Sequence, residues 1–75
     1  MSELPAISGK EAVRAFEKGG FVVVRIRGSH HILKKAGVPY ALSIPVHGNK
    51  SLSKGFLRKQ IKEAGLTESE FVSLL

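Results

Sequence analysis

Apolar and polar residues follow a helical period in the first part of this chain, switch to alternation from residue 21, and return to a helical period after residue 53. Ser8 and Glu11 have the spacing of a capping box, Ala12, Val13 and Phe16 form a short apolar stripe, and Gly19-Gly20 is a natural stop. Residues 9–18 are therefore predicted to be a helix. From Phe21 the run is β-branched. Val22, Val24 and Ile26 alternate with Val23, Arg25 and Arg27, which predicts a strand whose first set faces a core and whose other face is basic. Gly28-Ser29 reads as a tight turn, and His31-Ile32-Leu33-Lys34 as the returning strand of an antiparallel hairpin that ends at Lys35–Pro39. Tyr40–Val46 is again strand-like, with Pro45, which lacks a backbone donor, at a strand end or edge.

A polar loop, His47–Ser51, leads to Ser53, which can cap a helix whose apolar positions Leu57, Ile61 and Ala64 repeat until Gly65. Lys54, Arg58 and Lys62 share another face of that helix. Thr67 and Glu70 form a second capping box before Phe71–Leu75, a short terminal helix or a packing tail. The predicted order is α-β-β-β-α in the α+β class: a three-stranded antiparallel sheet with helices on one face and the other face open. Residues 1–75 are expected to form one domain, with 1–7 flexible and 67–75 an extension.

Seventy-five residues leave room for one modest core and no large enclosed pocket, so a polymer is a better substrate than a buried metabolite. Weak homodimerisation is compatible with so small a core. The absence of cysteine removes disulfides, thiolate metal sites and a thiol nucleophile. Met1–Pro5 has neither a basic nor an apolar signal region, and no apolar run approaches the roughly 20 residues needed to cross a bilayer. A cytoplasmic protein without membrane contact is expected.

Charge changes the picture more than composition does. All six acidic residues (Glu3, Glu11, Glu17, Glu63, Glu68 and Glu70) lie outside the stretch from Lys18 through Lys62, which holds ten of the twelve basic ones. Such a field attracts polyanions and makes their binding salt-dependent. At its centre sits Gly28-Ser29-His30-His31. Neighbouring strand residues point to opposite faces, so the two histidines cannot easily share a metal ion, and no carboxylate or thiolate lies nearby to complete a shell. Ser29 lacks an acid to complete a triad with either histidine. RNA cleavage needs less: the 2′-hydroxyl is a built-in nucleophile, and the protein need only move protons and stabilise a phosphorane with cations. Imidazole, with an unperturbed pKa of about 6.5, can do so near neutrality without metal or cofactor. Glycine at the turn lets a phosphate backbone approach closely.

The order of the pieces, a short helix, Gly19-Gly20-Phe21, Val24–His31, a strand ending in Ile44-Pro45 with His47, then Lys54–Ile61 and Ala64-Gly65-Leu66, resembles the HicA family of bacterial and archaeal toxins. These are small mRNA interferases of HicA-HicB toxin-antitoxin pairs. The resemblance implies a double-stranded-RNA-binding-like fold, ribosome-independent cleavage of mRNA, a HicB-like antitoxin partner, and a catalytic histidine just after the Gly-Ser turn. Gly28 and Ser29 match that motif, and His30 matches the usual first histidine. Because some relatives carry the chemistry on the second position, His31 is the rival, and the one facing the open side of the sheet is expected to move the proton. The chain departs from the family where Val46 separates Pro45 from His47, and where 67–75 extends past the common ending, as core cover or as a contact for antitoxin or a second protomer.

Arg25 and Arg27, just before the turn, are expected to bind phosphate, and Lys54, Arg58, Lys59 and Lys62 to steer the RNA backbone. Phe21 and Phe56 are expected to pack rather than stack on bases. A noncatalytic RNA-binding module would use the same fold and charge without needing an imidazole. A protein-interaction adaptor would instead use the basic face on an acidic partner.

Overall fold

The computed structural model describes residues 4–75. Its three helices start where the sequence places capping residues. Ser8 Oγ accepts from the Glu11 N–H at 3.3 Å while the Glu11 carboxylate accepts from the Ser8 N–H at 3.0 Å, opening α1 (Gly9–Lys18). Ser53 Oγ accepts from the Phe56 N–H and opens α2 (Lys54–Glu63), and Thr67 with Glu70 repeats the reciprocal box at α3 (Glu68–Ser73). Each such cap satisfies backbone donors that the first turn leaves unpaired, at about 1 kcal/mol apiece.

Between α1 and α2 run β1 (Val22–Arg27), β2 (His30–Lys34) and β3 (Leu42–Pro45), in the sheet order β1-β2-β3 with both pairings antiparallel. The expected meander is present, with β2 starting one residue earlier and β3 shorter than predicted. Leu33, Leu42 and Ile44 are fully buried and share one face, and α1 and α2 lie against β3 on that side. Among the described residues, no helix lies on the opposite face. This is the α-β-β-β-α arrangement with helices on one side, completed by the short α3.

The inward face of β1 differs from the expectation. Val22, Val24 and Ile26 are 60%, 53% and 59% exposed, and it is Val23, paired with the buried Leu33, that packs on the core. The cause is a β-bulge between Val23 and Arg25, which shifts the alternation by one residue within the strand. Beyond the bulge Ile26 pairs with His31 and does turn to the helical side, but β1 is an edge strand, and an open groove separates it from α1.

Residues 4–7, inside the stretch expected to be flexible, pack on the fold. Leu4 and Ile7 are core residues; residues 1–3 lie outside the described part of the chain. The Leu52 N–H donates to the Ile7 carbonyl at 2.8 Å and Ser8 bridges Ser51, so the segment is held against the loop before α2. A hydrophobic pair too short to show a period gave no sign of this in the sequence. Phe16 is fully buried between Phe21 and Phe71, at ring-centroid distances of 5.7 and 4.9 Å. Phe71 makes the segment after residue 66 part of the core cover, and the expected packing role of Phe21 holds.

Gly9 fixes how α1 meets the sheet. A Cβ there would lie 1.9 Å from the Pro45 carbonyl oxygen, so only glycine lets the helix start against the end of β3. That contact seats the strand end that leads into His47.

Candidate functional site

Two residues, Gly28 and Ser29, separate the paired Arg27 and His30. Gly28 has φ +58° and Ser29 has no positive φ, the glycine-first pattern a type II′ hairpin turn requires. The turn is tied to the third strand as well: the Val46 N–H donates to the Ser29 carbonyl at 2.7 Å, one residue beyond the end of β3.

Register decides where the two histidines go. His31 sits opposite Ile26 and the buried Ile44, so it faces the helical side with Leu33. It is half-buried in the groove between α1 and β1, beside Val13, Glu17 and Val46, and its Nδ1 is buried without a hydrogen-bond partner among the described residues. His30 sits opposite Arg27 and Pro45 on the open face and is exposed. Alternation places it in the same layer as Arg25, Arg27, Ile32 and Lys34, all on the side that carries no helix. Arg25, Arg27, His30 and Lys34 thus form a cationic and imidazole-bearing strip along the open face, with no acidic residue on β1, β2 or β3.

Not every predicted basic residue joins that strip. Lys54, Arg58 and Lys59 are exposed on α2, which packs on the opposite side of the sheet. Arg58 Nε lies 3.3 Å from a Glu68 carboxylate oxygen at the start of α3, so part of its charge is answered within the fold. Lys35, counted in the basic field, donates to the Gly19 carbonyl at 2.8 Å and lies over the Phe21 ring, which makes it a clamp on the end of α1.

The structure brings one residue to the site that the spacing of Pro45 and His47 left in doubt. His47 Nε2 lies 3.4 Å from Ser29 Oγ, across eighteen residues of sequence. Val46 turns into the helical-side groove, while His47 lines a separate open groove with Pro45, Lys50, Ser53 and Phe56. Lys50 reaches that groove because its N–H closes a turn on the His47 carbonyl, at 3.0 Å, with Gly48 at φ +56°. Neither Lys50 nor the Ser29–His47 contact had a local signature, since both depend on how a loop folds back. Among the described residues, no three His, Asp or Glu side chains gather into a group that could hold a metal ion. No helix among them is long and apolar enough to cross a membrane.

Residues 9–66 match a family model described as the HicA toxin of bacterial toxin-antitoxin. No curated protein gives a significant match.

Proposed function

The chain belongs to the HicA toxin family, the toxin side of a bacterial toxin-antitoxin pair, and from that premise we propose that it is a metal-independent, histidine-dependent endoribonuclease that cleaves mRNA in the cytoplasm. The observation that carries this reading is the position of His30: exposed on the open sheet face, beside Arg27 and Arg25, at the mouth of a glycine turn.

The chemistry follows from those groups. An RNA backbone laid along the open face places a phosphate near the Gly28-Ser29 turn, where the missing Cβ allows close approach. Arg25 and Arg27 hold its oxygens and offset the extra negative charge of the phosphorane. Neutral His30 takes the proton of the 2′-hydroxyl as that oxygen attacks phosphorus. His31, turned to the helical side, supports the hairpin rather than the reaction. Lys54 and Lys59, with Arg58 in part, steer the polyanion from a distance. A HicB-like antitoxin silences the toxin by covering the histidine turn or its basic surroundings.

Expression of the wild type is expected to arrest growth, and co-expression of the antitoxin to restore it. His30→Ala is expected to leave growth unaffected while the purified variant still binds RNA. Full toxicity of both His30→Ala and His31→Ala would overturn the assignment.

A further inference from the structure

Cleavage by 2′-hydroxyl attack moves two protons on opposite sides of phosphorus: one leaves the nucleophile and one must reach the departing 5′-oxygen. A single imidazole positioned for the first transfer is on the wrong side for the second. Lysine and arginine hold their protons too tightly near neutrality to serve as efficient acids. The other imidazole that reaches the turn is His47, whose Nε2 lies 3.4 Å from Ser29 Oγ.

We propose that His47 is the general acid of the reaction, a second catalytic residue that works opposite His30; this rests on the ribonuclease reading above. Three contacts support it. His30 pairs with Pro45, and His47 lies two residues further along the same chain, with Val46 between them turned to the other side. The Val46 N–H to Ser29 carbonyl bond holds this segment against the turn at 2.7 Å. Ser29 Oγ, 3.4 Å from His47 Nε2, then orients the ring over the turn. His47 shares its groove with Lys50 and Phe56, which supply a cation for the next phosphate and apolar surface for the nucleotide on the leaving side.

The step balances without any other reactant. The 2′-oxygen bonds to phosphorus and its proton passes to His30. The bond from phosphorus to the 5′-oxygen breaks, and that oxygen takes a proton from protonated His47 at Nδ1, the ring nitrogen that does not face Ser29. The products are a 2′,3′-cyclic phosphate and a 5′-hydroxyl end. His30 leaves protonated and His47 neutral, and both exchange with water because both are exposed.

A pair of substrates separates an acid from a merely positioning residue. An ordinary RNA oligonucleotide needs its leaving oxygen protonated at the cleaved position, whereas one with sulfur in place of that 5′-bridging oxygen loses its leaving group as a thiolate unaided. His47→Ala and His47→Gln are expected to cleave the ordinary substrate at least 100-fold more slowly than wild type, the lower end of what proton transfer contributes. Both should cleave the thio substrate within a few-fold of wild type, while His30→Ala is slow on both. His47→Gln keeps a donor for Ser29 but has no transferable proton, so its recovery of full activity on ordinary RNA would overturn the proposal. Equal slowing of both substrates by the His47 variants would overturn it too. A wild type that cleaves neither substrate would instead bring down the ribonuclease reading itself, and this proposal with it. Far-UV circular dichroism of each variant confirms that the fold is retained, as expected for an exposed side chain.

Discussion

Gly9→Ala and Gly55→Ala are the same chemical change in the first turn of a helix, and the structure assigns them opposite signs. At Gly9 the new methyl carbon would lie 1.9 Å from the Pro45 carbonyl oxygen, 2.9 Å from its carbon and 3.2 Å from Val46 Cα, against an ordinary contact of at least 3.4 Å. The helix start and the end of β3 must therefore separate by about 1.5 Å, the difference between 3.4 and 1.9, and all three obstacles are backbone. Overpacking of this kind costs about 1–3 kcal/mol, reduced by the few tenths to about 1 kcal/mol that alanine gains over glycine in a helix. A domain of this size has a total of roughly 0.05–0.15 kcal/mol per residue, so the net loss is a large share of its stability. At Gly55 nothing lies within 4 Å of the added carbon and the φ is not positive, so only the gain remains: about 0.4–1 kcal/mol of added stability. Urea unfolding followed by circular dichroism reads both, and with a slope of about 1 kcal/mol per molar the midpoints should move in opposite directions by amounts near those energies. A Gly9→Ala protein as stable as wild type would refute the seating of α1 on Pro45, and with it the account of how the His47 segment is held.

Other consequences are narrower. Phe71→Ala removes a fully buried ring in contact with Phe16 and should cost about 3–5 kcal/mol, seen as a large fall in the thermal midpoint. Arg58→Ala breaks an exposed pair with Glu68 and should change the same midpoint little, by less than about 1 kcal/mol. Arg25→Gln and Arg27→Gln should each weaken RNA binding and lower the slope of log affinity against log salt by about 1, measured by fluorescence anisotropy across a salt series.

Helix starts were legible in the sequence because Ser8, Ser53 and Thr67 act through bonds to residues three positions on, and a local signal suffices. The hairpin was legible for the same reason, through Gly28-Ser29. What the strand alternation could not reveal is the bulge at Val23/Arg25, since an extra residue in one strand is defined only by its partner. Strict alternation put Val22 and Val24 inside, and the real register puts Val23 there. The choice between His30 and His31 had the same origin: adjacent residues must face opposite sides, but which side each takes is set by pairing with Arg27, Ile26, Ile44 and Pro45. Leu4 and Ile7 join the core through a bond to Leu52, and Ser29 meets His47, across distances no pattern of spacing encodes. The turn and the arginines beside it were thus legible in the sequence, whereas the contact that brings His47 to the turn exists only in the fold.

The proposed reaction would leave its most direct mark on its products. Single-stranded RNA incubated with the wild-type protein in EDTA should yield fragments ending in a 2′,3′-cyclic phosphate and beginning with a 5′-hydroxyl, identified by mass spectrometry, and His30→Ala should yield none. Fragments carrying 5′-phosphate and 3′-hydroxyl ends, or undiminished cleavage by His30→Ala, would contradict attack by the 2′-hydroxyl under the control of this histidine.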